Sequence, residues 1–281
     1  MTAALSRAAQ APAVPPALMG VVNVTPDSFF DGGRYFDPAR AIAHGVALAG
    51  AGADIVDIGG ESTRPGAAPV AAAEELRRVL PVVEGLAAKV KAPLSIDTSK
   101  PEVMAAAVAA GAVMINDVRA LQSPGALAAA AGCGVPVVLM HMQGEPATMQ
   151  HAPRYGDVVA EVTAFLKARR DAAITAGVDP GNIYVDPGFG FGKTPAHNLA
   201  LLANIKTIAT VAPVVAGLSN KSIIRHILGA VDAAALTAAS AQLAAAAAAN
   251  GAAIIRVHDV TATRRALAVQ RAISGVHTIA A

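Results

Sequence analysis

Four polar residues follow short apolar runs and together suggest a binding site for a nitrogen-rich ring. Asp97, Asn116 and Asp186 each close such a run, and Lys221 follows a fourth one. Two carboxylates and an amide offer both acceptors and donors, which can bind several N–H groups on one edge of a heterocycle. Lys221 can meet a carbonyl oxygen or ring nitrogen of the same ligand. A charged partner of this kind also offsets the cost of burying the carboxylates.

A second group of polar residues has the chemistry of a phosphate site. Arg64, Arg256 and His258 can carry positive charge, and arginine donates two parallel hydrogen bonds to phosphate oxygens. Asn23 carries an amide oxygen, a ligand that suits Mg²⁺ beside a diphosphate. The residues alone therefore predict an enzyme that acts on a phosphorylated, nitrogen-rich small molecule, and they do not name that molecule.

Each of these residues also has a purely structural interpretation. An Asp or Asn that closes a strand is roughly twice as often a helix N-cap as a ligand-binding group. Lys193, Lys221 and Arg256 can be solvated surface charges. His141 can be a buried histidine with satisfied hydrogen bonds, and Thr194 can be a helix start. The structural interpretation weakens because successive apolar runs all end in such groups while the runs themselves remain apolar.

A repeated pattern of strands and helices must position these side chains. Eight apolar or β-branched runs are predicted strands: Leu18–Val24, Ile55–Gly59, Leu94–Asp97, Val113–Asp117, Val137–His141, Ile183–Asp186, Val214–Gly217 and Ala253–Val257. Helical spacing of apolar residues appears between them, in Ala39–Ala49, Ala72–Val90, Pro101–Ala110 and Val158–Ala176. Strands that are apolar throughout are typical of a parallel sheet covered by helices.

Eight strand–helix units fit a closed (β/α)8 TIM barrel, whose usual length is about 250 residues. The carboxyl ends of all strands meet at one mouth of such a barrel, where active sites are built. The alternative is an open doubly wound sheet. It is disfavoured because no G-x-G-x-x-G sequence follows the first strand and because the polar groups are spread over all eight strand ends.

The composition favours a folded enzyme domain and argues against several other classes. The chain has 281 residues, of which 54% are hydrophobic and 15% charged, so a large core can form. A net charge of +2 is too small to favour nucleic acid or an anionic membrane as a partner. The single cysteine, Cys133, excludes a disulfide framework and a cysteine-rich metal site.

The first residues and the alanine run near the C-terminus give no targeting or membrane signal. Residues 1–16 lack the continuous apolar run of a secretory signal, and Ala244–Ala249 predicts a buried or half-buried helix. We therefore expect a cytoplasmic protein with a flexible extension over residues 1–16 and one catalytic domain over residues 17–281.

Seven stretches of sequence resemble dihydropteroate synthases, and they occur in order from about Leu18 to the last predicted helix. They are Met19–Phe29 (MGVVNVTPDSF), Gly59–Ala67 (GGESTRPGA), Ser95–Glu102 (SIDTSKPE), Ile115–Val118 (INDV), Leu139–Gly144 (LMHMQG), Asp186–Lys193 (DPGFGFGK) and Ile255–Asp259 (IRVHD). One such string is a weak signal, but seven in order with fitting spacing are a strong one.

The resemblance implies a (β/α)8 barrel, a homodimer and a Mg²⁺-dependent enzyme of folate synthesis. The reaction would condense 6-hydroxymethyl-7,8-dihydropterin diphosphate with p-aminobenzoate and release pyrophosphate. The pterin would bind to Asp97, Asn116, Met140, Asp186, Gly190, Phe191 and Lys221. The diphosphate would bind to Asn23, Thr63, Arg64, Arg256 and His258, with Asn23 as the Mg²⁺ ligand. p-Aminobenzoate, or a sulfonamide in its place, would bind to Phe29, Thr63, Pro65, Lys221 and Ser222. The catalytic residues would be Asp97, Asp186, Lys221, Arg256 and His258.

These roles predict a dissociative displacement. The metal and the basic residues would absorb the charge that develops on the leaving diphosphate. The pterin ring would stabilise the exocyclic methylene cation, helped by the negative charge of Asp97 and Asp186. The amine of p-aminobenzoate would then attack, and no enzyme nucleophile is needed. The loops Thr25–Tyr35 and Ser62–Ala68 are expected to close over the site and exclude water.

One departure and two alternatives accompany the resemblance. Asn220 stands where the family usually has Arg, which removes a fixed charge beside the p-aminobenzoate pocket. The first alternative is a pterin-binding methyltransferase module that uses methyltetrahydrofolate. The stretches Asn23–Phe29 and Thr63–Pro65 disfavour it, because they suit a diphosphate and an arylamine. The second alternative is a catalytically silent pterin-binding protein, which the retained basic residues disfavour.

Overall fold

The predicted barrel is confirmed in the computed structural model, which describes residues 15–25, 30–31, 35–63, 66–146 and 148–279. The strands are β1 (Ala17–Asn23), β2 (Phe30–Asp31), β3 (Tyr35–Phe36), β4 (Ile55–Gly59), β5 (Leu94–Asp97), β6 (Met114–Asp117), β7 (Val137–Met140), β8 (Ile183–Asp186), β9 (Val215–Ala216) and β10 (Ile254–Val257). The helices are α1 (Pro38–Gly50), α2 (Ala72–Ala87), α3 (Pro101–Ala109), α4 (Ala126–Cys133), α5 (Val158–Thr175), α6 (Pro195–Ala203), α7 (Ile205–Ile208), α8 (Ser222–Leu228), α9 (Ala233–Ala249) and α10 (Val260–Ile279).

Eight of the strands form one parallel sheet that closes on itself. Their order is β8-β7-β6-β5-β4-β1-β10-β9. The two edges meet where Val185 of β8 forms a parallel bridge with Val214, just before β9. The Val185 amide also donates to the Pro213 carbonyl at 3.0 Å. Because the sheet is closed, the carboxyl ends of its strands surround one opening.

Two predictions about strands are corrected by the structure. The sequence predicts a strand at Val214–Gly217, but β9 contains two residues, because Val214 pairs with Val185 in an isolated bridge outside the strand and Gly217 already belongs to the loop before α8. The segment predicted as the loop Thr25–Tyr35 contains β2 and the start of β3, which pair as an antiparallel hairpin. The predicted strands Ile55–Gly59, Leu94–Asp97 and Ile183–Asp186 are confirmed at both ends, and the remaining predicted strands and helices differ from the structure by one to three residues at an end.

The interior of the barrel has an apolar layer at its base. We call this layer the apolar plug, and its members are Ala17, Met19, Ile55, Met114, Val138, Tyr184, Val215 and Ile254. Side chains alternate between the two faces of a strand, so residues two positions further along point inward again, nearer the carboxyl ends. On several strands that next inward residue is polar or charged. We call this set the polar layer, and its members are Asp57, Asp97, Asn116, Asp186 and Arg256.

Helices cover the outer face of the sheet, where a larger cluster of buried apolar residues lies between the two layers. The alanine run of α9 takes part in this packing, since Ala244 and Ala247 are buried. Among the described helices, none is by itself long and apolar enough to cross a membrane. Only α8 and α9 taken together reach the required length and composition, and they are bent by 104° at the break between them.

Candidate active site

The polar layer forms the floor of a cavity of about 740 Å³ at the carboxyl ends of the barrel strands. The structure brings twelve of the fifteen predicted site residues to its wall: Asn23, Thr63, Asp97, Asn116, Met140, Asp186, Gly190, Phe191, Lys221, Ser222, Arg256 and His258. The predictions for Phe29, Arg64 and Pro65 lie outside the described residues.

Register explains why residues so distant in sequence meet here. Asn23 is paired with Gly59, Gly59 with Asp97, and Asp97 with Asn116 across four neighbouring strands. Gly59 contributes no side chain to this row, and a Cβ there would lie 3.4 Å from the Cβ of Asp97. The barrel therefore holds these three polar side chains on its inner face, around one opening.

Arg256 connects the charged members of the polar layer. Its Nε donates to Asp57 Oδ2 and its Nη2 to Asp97 Oδ2, both at 2.7 Å. The same Asp57 oxygen accepts from Asn116 Nδ2 at 3.1 Å. The sequence predicts Arg256 among the phosphate-binding residues, apart from the ring-binding carboxylates. In the structure the arginine bonds directly to Asp97, so the two predicted groups are in contact.

Asp57 is the residue that the sequence analysis missed. Its side chain is fully buried, and it holds both Arg256 and Asn116 from behind the cavity wall. The signal in the sequence was a carboxylate in the middle of the otherwise apolar strand β4. A carboxylate at such a buried position requires a charged or hydrogen-bonding partner.

Burial shifts the pKa values of the ionisable groups in the cavity. Desolvation raises the pKa of Asp186 to about 6, although the Gly188 amide, which donates to it at 2.6 Å, opposes the shift. Desolvation also raises the pKa of Asp97 above its usual range, against the field of Arg256. Burial, together with the charge of Arg256, lowers the pKa of Lys221 to about 8. A charged ligand in the cavity can therefore change the protonation of Asp97, Asp186 and Lys221.

The wall beside Lys221 is apolar and flat. Phe191 clusters with Met140 and Met149, and the Lys221 ammonium lies 4.1 Å from the centre of the Phe191 ring. A Cβ at Gly190 would lie only 3.1 Å from the Lys221 side chain, so a larger residue there would displace the ammonium group. This wall can stack a planar ring against one face while the polar layer binds its edge.

His258 and Asn23 line the cavity at the ends of the neighbouring strands β10 and β1. His258 Nδ1 and Ser219 Oγ are 3.0 Å apart, which fixes the orientation of the imidazole. Asn220 adopts a left-handed conformation with φ of 59°, and its amide donates to Ser240 Oγ at 3.1 Å. Asn tolerates this conformation better than most residues, so the turn it makes delivers Lys221 and Ser222 to the cavity.

The structural interpretations have mixed outcomes. Thr194 is indeed a helix start, because its side chain accepts from the His197 amide in a capping box. His141 is a buried histidine with hydrogen bonds. Lys193, however, is buried and not a surface charge, and Lys221 and Arg256 are half-buried in the wall of the cavity.

Comparisons with known proteins agree with this geometry. The family model described as pterin binding enzyme matches residues 19–258. A dihydropteroate synthase of Escherichia coli is 48% identical over 258 residues, which are 92% of this chain and 91% of that protein. The chain belongs to the dihydropteroate synthase family.

Solved structures of the dihydropteroate synthase family superpose closely on the barrel. The Xanthomonas albilineans enzyme with 4-aminobenzoic acid has a TM-score of 0.87 and 54% identity, covering 92% of this chain and 93% of that one. The Yersinia pestis enzyme in complex with a sulfonamide drug also has a TM-score of 0.87, with 46% identity, covering 93% and 95%. The resemblance predicted from seven motifs is thus confirmed.

Proposed function

We propose that the chain condenses 6-hydroxymethyl-7,8-dihydropterin diphosphate with p-aminobenzoate to give 7,8-dihydropteroate and pyrophosphate. The observation that carries this proposal is the polar layer, in which Asp97, Asn116 and Asp186 face one cavity together with Lys221. Relatives crystallised with 4-aminobenzoic acid and with 7,8-dihydropteroate support the same pair of substrates.

The polar layer suits the hydrogen-bonding edge of a pterin. Asn116 donates its amide N–H to Asp57, which directs its Oδ1 to an N–H of the ring. Asp186 uses Oδ1 for the Gly188 amide and offers Oδ2 to the ring nitrogens. Lys221 meets the ring from the side of Phe191. These contacts would recognise the pterin by the pattern of hydrogen-bond donors and acceptors on its ring.

The same residues favour the chemical step. The bond between the exocyclic carbon and the diphosphate oxygen breaks, and the electron pair leaves with pyrophosphate. The carbon then carries positive charge that is shared with the ring, close to the carboxylates of Asp97 and Asp186. The amine nitrogen of p-aminobenzoate forms the new C–N bond and loses a proton to solvent. His258 and Arg256 stabilise the departing negative charge.

Mg²⁺ is part of the proposal and would neutralise the leaving diphosphate when bound. Asn23 lines the cavity at the end of β1, the strand next to β10, which His258 follows, and offers an amide oxygen, a donor type that Mg²⁺ accepts. No group of three His, Cys, Asp or Glu side chains suited to a metal occurs among the described residues. Such an ion would therefore complete its coordination with diphosphate oxygens and water, which is a common arrangement for Mg²⁺.

The p-aminobenzoate pocket would lie where α8 begins. Lys221 precedes the first turn of this helix and Ser222 opens it, so a cation and backbone N–H groups can meet the aryl carboxylate. Thr63 lies on the same cavity wall. Sulfonamides would compete for this pocket, as the drug complex of the Yersinia pestis relative suggests.

A homodimer and a cytoplasmic location complete the proposal. Leu199 of α6 and Ile227 and Leu228 of α8 lie on helices that pack together, and each leaves 42 to 52% of its surface exposed. An apolar patch of this kind fits a second copy of the chain. A cytoplasmic location suits a charged diphosphate substrate, which does not cross membranes unaided. Replacing Ile227 and Leu228 by Glu should give a monomer in sedimentation experiments.

A pyrophosphate-release assay tests the proposed reaction. Release should require both the pterin diphosphate and p-aminobenzoate, and a sulfonamide should reduce it competitively with p-aminobenzoate. Methyltetrahydrofolate with a corrinoid acceptor should give no methyl transfer. Pyrophosphate release that is indifferent to p-aminobenzoate would contradict the proposal.

A further inference from the structure

Lys193 is a buried lysine that the reaction does not use. Only 3% of its surface is exposed, and it is absent from the wall of the cavity. Its Nζ lies 2.9 Å from His141 Nδ1, 3.0 Å from the Phe191 carbonyl and 3.4 Å from the His141 carbonyl. In the described part of the chain it forms no ion pair within 4.0 Å. Burial lowers the pKa of Lys193 to about 7, and in its protonated form the amine has three N–H donors that match these three acceptors.

Lys193 closes a loop that is pressed against the segment after β7. Gly188 and Gly192 both have positive φ angles. A Cβ at Gly188 would lie 1.9 Å from the His141 carbonyl oxygen, and one at Gly192 would lie 2.5 Å from the Gln143 carbonyl oxygen. The two backbones therefore approach at a distance that only glycine permits. Lys193 bonds across this same contact and joins the loop to His141.

The loop carries the aromatic wall of the pterin cavity. The Phe191 carbonyl is bonded to Lys193, while the Phe191 ring faces the cavity and contacts Lys221. One residue before Phe191 in the same loop, the Gly190 amide donates to Asn198 Oδ1 at 2.8 Å and the Gly190 carbonyl accepts from Gln150. A shift of the Phe191 backbone would thus move both the stacking surface and the partner of Lys221.

The His141 side chain is an acceptor in this arrangement. Burial, together with the charge of Lys193, lowers the pKa of His141 to about 3, so the imidazole is neutral. The tautomer with its proton on Nε2 leaves Nδ1 as an acceptor for the lysine. The Phe165 ring packs edge-on against the imidazole, with the ring centres 4.8 Å apart, and limits its rotation.

We propose that Lys193 and His141 are positioning residues that fix the Phe191 wall and thereby set the affinity for the pterin substrate. This inference rests on the proposed function. It assigns to the pair a larger effect on the first substrate than on p-aminobenzoate, because Lys193 bonds to the backbone of Phe191, whose ring forms the wall on which the pterin would stack.

The test compares K193M with K167M by steady-state kinetics and thermal melting. Methionine keeps the length of the side chain and removes its donors. Lys167 on α5 is the matched control, because its side chain is 64% exposed and its ion pair with Asp171 is long, at 3.7 Å. K193M should raise the KM for the pterin diphosphate by about tenfold or more and leave that for p-aminobenzoate within about twofold. K167M should change neither. Two equal KM increases in K193M, or none, would overturn the proposal.

A second pair of variants keeps the test decisive if K193M does not fold. H141L removes the acceptor at the Nδ1 position, whereas H141N retains an oxygen close to it. The KM for the pterin should rise in H141L and recover in H141N, although both variants lose the imidazole ring. Equal values in the two variants would refute a positioning role. If the unmodified enzyme releases no pyrophosphate with both substrates, the proposed function fails, independently of this inference.

Discussion

The apolar plug and the polar layer are two successive rings of inward-facing residues in one barrel, and they have opposite properties. In β4, β6, β8 and β10 the change occurs over two residues: Ile55 to Asp57, Met114 to Asn116, Tyr184 to Asp186 and Ile254 to Arg256. The plug stabilises the fold because it buries apolar surface. The polar layer buries charge, and the desolvation cost is offset by ion pairs and hydrogen bonds. The comparison shows that the polar and charged side chains of the active site are confined to one layer of the barrel interior.

The largest effect should come from breaking the polar layer at Arg256. R256Q removes the cation that joins Asp57 to Asp97 and leaves two carboxylates close together. We expect kcat for pyrophosphate release to fall by about 100- to 1000-fold, since a stabilising donor and its charge are both lost. Pterin affinity should also fall, because Asp97 loses its partner. Unchanged turnover would remove Arg256 from the mechanism.

Replacing Asp57 tests whether a residue behind the wall supports the layer. D57N breaks a buried ion pair, so the free energy of unfolding should fall by about 3–4 kcal/mol, as measured by denaturant titration. Turnover should fall as well, because Arg256 and Asn116 lose a common anchor. D171N is a suitable control, since it disrupts the exposed pair of Asp171 with Arg170 and should leave stability unchanged. Equal stability of the two variants would contradict the role given to Asp57.

A substitution in the apolar plug should have the reverse profile. I55A leaves a cavity below the polar layer and should lower the free energy of unfolding by about 3 kcal/mol. Both KM values should stay within about twofold of the original, because Ile55 is fully buried and does not line the active-site cavity. A large KM change in I55A would mean that the two layers are not functionally separate.

The pH dependence of stability should reveal the cost of Asp186. Its pKa is raised to about 6 in the folded chain, above the unfolded value of about 4, so the folded state binds the proton more tightly. The stabilisation that proton binding gives the folded state is fully present below pH 4 and is lost as the pH rises through about 6, where Asp186 becomes a buried carboxylate. D186N has no charge to bury, so it should be more stable than the parent at pH 7 by about 2 kcal/mol. This advantage should vanish near pH 4, where Asp186 is protonated. An advantage that is the same at both pH values would exclude this explanation.

The strand pattern made the barrel and most of the site predictable. The eight repeated strand–helix units predict a barrel whose strands end at one mouth, and this suffices to place Asp97, Asn116 and Asp186 together. The pairing of Arg256 with Asp57 was not predictable, because it joins β10 to β4 across β1 and depends on how far the closed sheet staggers its strands. The burial of Lys193 depends on loop packing, which no periodicity encodes.

The central claim is that the polar layer, and not the plug beneath it, recognises the pterin. Calorimetric titration of the pterin diphosphate, without p-aminobenzoate, into the parent protein, D186N and I55A tests it most directly. We predict that D186N binds at least about 100-fold more weakly than the parent while I55A binds equally well, because an unpaired polar edge of the ligand is costly to bury. Equal affinity in D186N and the parent would contradict the claim.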